Sequence, residues 1–287
     1  MATLEVPEVD FSRYSNRQLA AIPLAVLALA LLVLVGWYLL FGTPVSLGIE
    51  FTGGTELVVN AAESPNAVRE TFDQPVSSVR TIQGGENTLV TFDSLDDDAI
   101  RQKAYDEYGE GNVELVSTTS ASFGENARDT ALLGVLIAFI GMSIIVFALF
   151  RTFVPSIAVV ISAFSDIIVP LALMNLLGIQ LSLGTVAALL MLIGYSVDSD
   201  ILLNNHILRR SGDFYESTYR AMRTGVSMTI TSIAAMGVMT VVAYFFGIQL
   251  LTSIGIVLVL GLATDLMNTY MLNLSLLRWY KFEGVAR

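Results

Sequence analysis

The chain has 287 residues, is 54% hydrophobic, carries a formal charge of −11 and contains no cysteine. A mean hydropathy of +0.68 excludes a purely soluble globular protein and points to a polytopic membrane protein with some soluble mass. Without thiols there are no disulfides or thiolate metal sites, and a lone histidine, His206, rules out a histidine-rich cage, so neither cofactor nor metal is expected.

Residues 1–18 are polar, with Arg13 and Arg17 just ahead of the first apolar run. Residues 19–41 are 23 in number and uncharged, which at about 1.5 Å each is enough to cross a ~30 Å hydrocarbon core. The run is too long for a signal-peptide core and reads as an uncleaved anchor.

Residues 43–127 form the soluble domain. They hold 15 Asp/Glu against 4 Lys/Arg, so the whole excess of negative charge lies here. Such a surface argues against binding of nucleic acid or anionic lipid by this domain. Its acidity and its lysine poverty fit a high-salt setting, and ordinary solubility charge accounts for them as well. Leu47–Val59 reads as a strand interrupted by Gly53-Gly54. Ser64–Asp73 opens with Ser-Pro, a cap followed by proline at the first helical position. Val76–Gln83 and Thr88–Asp93 read as strands around a Gly84-Gly85 turn. Asp96–Tyr108 places its acidic residues in a helix's first turn, and Asn112–Ser120 closes with a strand. The order βαββαβ is the split ferredoxin-like pattern.

Residues 128–277 return to the membrane. Thr130–Phe150, Phe153–Leu177 and Leu181 to about Leu208 are spans two to four. The charged segment 209–224 leads to Gly225–Phe246 and Leu250–Leu277, spans five and six, and 278–287 form a basic tail. Pro170 predicts a kink in span three. With six spans, Arg13, Arg17, Arg151, the arginines of 209–224 and the tail share one side, the cytoplasm, and the acidic domain lies outside. Arg128, at an outer helix end, dissents. Gly-Ile-Gln-Leu occurs at 178–181 and at 247–250, which a duplicated helix hairpin or coincidence would explain.

Asp166, Asp198, Asp200 and Asp265 fall inside these spans, and no lysine or arginine lies within a span to neutralise them. A carboxylate at bilayer depth costs at least ~2.5–3.5 kcal/mol, so it normally faces a bundle interior and serves a purpose there. Carboxylates that take up and release protons suit a proton-driven device. Sodium coordination with Ser196, Asn204 and Thr269 oxygens is an alternative use, and interhelical bonding is a third. Gly194, Asp198 and Asn205 share one helical stripe and Asp200 and Asn204 another, with Asp198 and Asp200 about 200° apart. Gly134, Gly141, Gly237, Gly255 and Gly261 read as packing surface, and His206 as an interfacial residue.

Gly48-Ile49-Glu50-Phe51-Thr52-Gly53-Gly54-Thr55 resembles the Gly-Ile-Asp-Phe-x-Gly-Gly signature of the SecD/SecF protein-export membrane proteins. Ser122-Phe123-Gly124-Glu125, Gly194-Tyr195-Ser196-Val197-Asp198 and Thr224-Gly225 with Met228-Thr229 continue the resemblance in family order. Size and a single small outside domain resemble the SecF side. The resemblance implies a non-enzymatic subunit of the resistance-nodulation-division architecture, partnered by SecD and a SecYE-type translocon. It would aid export of precursor proteins, driven by proton flow through intramembrane carboxylates. Two positions depart from the bacterial SecF pattern: Asp198-Ser199-Asp200 resembles the SecD placement, and span five lacks a base. A small-molecule or lipid exporter of the same superfamily and a structural assembly factor are the rival readings.

Overall fold

The computed structural model describes residues 10–61, 64–82, 87–209 and 213–284. Among them, six helices are long and apolar enough to cross a membrane. The first, α1 (Asn16–Phe41), starts on a capping box between Ser15 and Gln18 and stops at Gly42, whose φ of +77° suits only glycine without strain.

A single helical turn, α2 (Ile49–Thr52), follows where the alternating pattern predicts strand. The correction has a tertiary cause. The Gly48 N–H donates to the Leu181 carbonyl at 2.8 Å and Leu181 N–H donates to Ser46 O at 2.7 Å, so this segment is pinned to the turn between spans three and four. The chain must then wind back before a strand can start. Gly53 and Gly54 take φ values of +78° and +111°. They therefore bend the entry to the first strand rather than its exit.

The domain proceeds through β1 (Gly54–Asn60), α3 (Pro65–Thr71), β2 (Val76–Ile82), β3 (Asn87–Phe92), α4 (Asp97–Tyr108) and β4 (Val113–Thr119). Its antiparallel sheet has the order β2-β3-β1-β4, the ferredoxin-like arrangement expected. Ser64 and Asp96 cap α3 and α4. Leu57, Val59, Val90 and Phe92 from the sheet meet Val68 of α3 and Ile100 of α4 in one core. Each side chain so buried contributes roughly 1.5–3 kcal/mol. The Gly84-Gly85 turn lies outside the described residues.

Helix α5 (Ala121–Phe150) is capped by Ser120 at the end of β4, so span two begins inside the segment read as domain. α6 (Phe153–Leu177), α7 (Leu183–Arg209), α8 (Phe214–Phe245) and α9 (Gln249–Met267) follow. The sixth span continues from α9 through a π-helical stretch, Asn268–Asn273, into α10 (Leu274–Trp279). α8 starts at Phe214, eleven residues before the expected Gly225. Asp213 caps it, and Phe214, Ala221 and Met222 join Leu203, Ile207 and Leu274 in a core at the end of the bundle opposite the domain. Residues 214–224 of the charged segment are the first turns of that helix.

α6 and α7 are the central helices, with 61% and 50% of their apolar stretches buried, against 11% for α5 and for α8. Small residues allow close approach. A Cβ at Gly261 would lie 2.2 Å from Leu192, and one at Gly255 would lie 2.0 Å from Thr240. Gly134, Gly141 and Gly237, expected to pack likewise, have nothing within 4 Å. The Gly-Ile halves of the two Gly-Ile-Gln-Leu copies form the same structure, although Gln249 already opens α9 where Gln180 and Leu181 precede α7. Gly178 and Gly247 take φ of +70° and +71°, and the next amide closes a six-residue loop, Ile179 to Met174 O and Ile248 to Ala243 O, both at 2.9 Å. Each is a Schellman stop, which explains why Gly-Ile recurs.

Candidate functional site

Three spans bring their charged residues to one place. Asp166 of α6, Asp200 of α7 and Asp265 of α9 are each no more than 1% exposed. The Ser196 hydroxyl donates to Asp166 Oδ2 and the Asn268 amide donates to Oδ1, both at 2.6 Å. The Asn273 amide and the Thr269 hydroxyl donate to Asp200 Oδ1 at 2.7 and 2.8 Å. Ser199 donates to Asp265 Oδ1 at 2.9 Å. Thr269 Oγ1 is also 3.3 Å from Asp265 Oδ1, so one hydroxyl lies between two carboxylates.

Local structure aims these groups. Pro170 has no N–H, so the helical bond to the carbonyl of Asp166, four residues back, is missing at that position of α6. The π-helical stretch of the sixth span widens the turn that presents Asn268, Thr269 and Asn273 to the carboxylates, and such bulges occur often at functional sites. No lysine or arginine donates to the cluster among the described residues. Arg278, the buried base of the bundle, instead donates to the Phe11 and Tyr14 carbonyls and to the Asn16 side chain. A trio of carboxylates without a base holds full charge only at high cost, so binding a small cation, of which H⁺ is the simplest, lowers its energy.

Of the predicted site residues, Asp166, Asp200, Asp265 and Ser196 are in this network. Asn204 is fully buried beside it on α7, and its amide has no hydrogen-bond partner among the described residues. Asp198 is elsewhere: with Gly194 and Asn205 it lies on the exposed face of α7. The 200° separation from Asp200 is what puts it there. The Tyr195 hydroxyl donates to Thr229 of α8 at 3.2 Å, and His206 Nδ1 lies 2.9 Å from the Leu202 carbonyl one turn back. Asn268, Asn273 and Ser199 escaped the sequence reading. Their signal was the spacing of Asp265, Asn268, Thr269 and Asn273, which repeats at helical intervals in an otherwise apolar run.

The Gly-Gly segment forms a second assembly. Phe51 is buried in the membrane core, and the backbone of Phe51 and Gly53 touches α5 so closely that a Cβ at Gly124 would fall 2.9 Å from each. Two of the motifs that carry the family resemblance thus meet face to face. Arg80 of β2 donates to the Gly178 carbonyl at 2.7 Å, joining the sheet to the domain-side end of α6.

Residues 97–283 match the family model described as "Protein export membrane protein SecD/SecF, C-terminal", and residues 38–64 match the "SecD/SecF GG Motif". A protein-export membrane protein SecF from Haloferax volcanii is 62% identical, with both chains covered in full. The chain belongs to the SecF family. Another SecF, from Haloquadratum walsbyi, is 60% identical over the whole of both chains. The SecF of Pyrococcus furiosus is 37% identical over 91% of this chain and 90% of its own. Among solved structures, SecDF, a translocon-associated membrane protein from Thermus thermophilus, superposes with a TM-score of 0.77 at 22% identity. That match covers 97% of the present chain, which spans 39% of the longer protein. The SecF fold and a multi-pass membrane protein of the export machinery are therefore established for this chain.

Proposed function

We propose that this SecF works with a SecD partner beside a SecYE-type translocon, and that cation flow, with H⁺ the simplest carrier, through Asp166, Asp200 and Asp265 drives the domain of residues 43–127 to assist precursor export. The observation that carries the reading is the buried carboxylate network shared by three spans. Thr269 can donate to Asp200 while accepting from Asp265, which gives a proton a route between them. The basic residues at 13, 17, 151, 220 and 223 support a cytoplasmic face opposite the domain.

Helix α6 supplies the link to the outside. Twelve residues separate Asp166 from Gly178, about 18 Å of helix. At that far end Gly178 accepts from Arg80, and Asn175 donates to Pro44 O and accepts from Ser46 N–H at 2.8 and 3.0 Å. A change in charge at Asp166 that tilts α6 therefore moves the seat of the domain. On the other side of the bundle, Asp198 on an exposed face of α7 fits a partner span that supplies a hydrogen-bond donor, the place for SecD.

Export of a signal-bearing reporter in cells carrying Asp166→Asn tests the reading. The substitution keeps size and hydrogen bonding and removes the ionisable group. Export is expected to fall while the protein and its SecD partner remain assembled in the membrane. Unchanged export with intact assembly would leave the carboxylates as interhelical bonding groups and end the coupling model.

A further inference from the structure

An apolar recess of about 700 Å³ opens between α1, α5, α6 and α7 on the domain's side of the bundle. Leu34, Leu136, Phe164, Ile168 and Leu189 are typical of its walls, and Thr43 and Arg128 are the polar residues that line it. Its long wall runs down α5 from Arg128 to Phe139, eleven residues or about 16 Å. That is half of a ~30 Å hydrocarbon core, the depth of one leaflet. Leu132, Leu136 and Phe164 are 59%, 54% and 40% exposed, so the recess opens sideways to the bilayer.

The dimensions select the occupant. A membrane-spanning helix must cross the full ~30 Å of hydrocarbon, whereas the wall of this recess is only about one leaflet deep. An extended peptide would bring N–H and C=O groups to walls that cannot bond them. A hydrocarbon chain meets neither obstacle, and filling the recess recovers the dispersion contacts its walls otherwise lack. At the mouth, Arg128 reaches its neighbour Asp129 at 3.4 Å, beyond the ~2.7–2.9 Å of a charge-assisted bond. Its Nη1 makes no bond to the described residues. A phosphate offers that guanidinium paired oxygens at the shorter distance.

We propose that this recess is a phospholipid site, with one tail lying along α5 down to Phe139 and the phosphate held by Arg128. The site would explain why a base stands at the one helix end where charge sidedness disfavours it, and it does not depend on how the carboxylates are used.

The test is native mass spectrometry of the full-length chain, with its membrane partner if the two co-purify, titrated with phosphatidylglycerol and with diacylglycerol of the same tails. One phosphatidylglycerol is expected to stay bound, at least fivefold more tightly than diacylglycerol. Arg128→Gln should abolish that preference, and Ala131→Trp, which fills the recess, should lower binding of both lipids at least fivefold. Phosphatidylglycerol carrying a tail diazirine should label the 131–139 stretch of the unaltered chain, which needs no variant to fold. The proposal is overturned if no lipid is retained, if Arg128→Gln still prefers phosphatidylglycerol, if the diazirine labels elsewhere, or if a hydrophobic signal peptide rather than added lipid displaces the label.

Discussion

Asp198 and Asp200 are two residues apart on one helix and live in different solvents. Asp200 is wholly buried and accepts two hydrogen bonds, whereas Asp198 stands on a face of α7 that is exposed among the described residues. The difference teaches that an intramembrane carboxylate can be completed within its own bundle or left for a neighbour to complete. The two cases make opposite demands on mutation.

The sharpest way to break the comparison is to neutralise each in turn. Asp200→Asn should cut reporter export at least roughly tenfold with the SecD complex intact, whereas Asp198→Asn, still able to hydrogen-bond, should keep most activity and Asp198→Leu should lose the partner on purification. Equal loss from both Asn variants would erase the distinction. Next in size is Thr269→Val, expected to slow export several-fold, with Thr269→Ser restoring it because only the hydroxyl matters; rescue by valine would remove the bridging role.

A smaller effect is expected where the domain sits on α6. Arg80→Ala removes a hydrogen bond from a charged donor, worth about 1.5–3 kcal/mol at most and less where solvent reaches it. Amide exchange in β2 and around residues 178–182 should speed up, and unchanged exchange would show the contact to be idle. The smallest concerns Glu56 on β1. Burial, then the nearby Glu50 carboxylate, push its pKa up to about 7, with Arg80 partly opposing. Because the folded state holds this proton more tightly than the unfolded chain, the stabilisation is full below the ordinary carboxylate range and is lost as pH rises through about 7. Glu56→Gln should flatten that decline and stabilise the domain by roughly 1–2 kcal/mol above neutrality; a melting profile with the same pH slope as the unaltered protein would rule this out.

Much of the architecture was legible because its signals are local and strong. Uncharged runs marked the spans, and Ser-Pro and the Asp96–Asp98 cluster marked helix starts. What stayed hidden was tertiary. Gly48–Thr52 alternates like a strand, but the bonds that tie Gly48 and Ser46 to Leu181 make the chain wind into a helical turn there. Phe214–Arg223 looks too charged for a span, yet its apolar face packs on Leu203 and Ile207. At the site, composition and spacing picked out all four aspartates and the angle between Asp198 and Asp200. They could not say which of the two pointed inward, because α7 carries apolar residues on every side. The donors on the sixth span depend on a π-helical stretch, which leaves no mark in hydrophobic periodicity.

The meeting of Gly53 with α5 has a mechanical corollary. The chain enters the domain through α2 and leaves it through the first turn of α5, and these two strands of backbone touch, since a Cβ at Gly53 would lie 2.7 Å from Ala121. The domain is thus mounted on a single stalk, like a flag on one pole. Sliding across the membrane surface would tear that mount, whereas swivelling about it costs only the contacts between the sheet and the α6 tip. Any side chain at Gly53 would seize that bearing without touching the carboxylates.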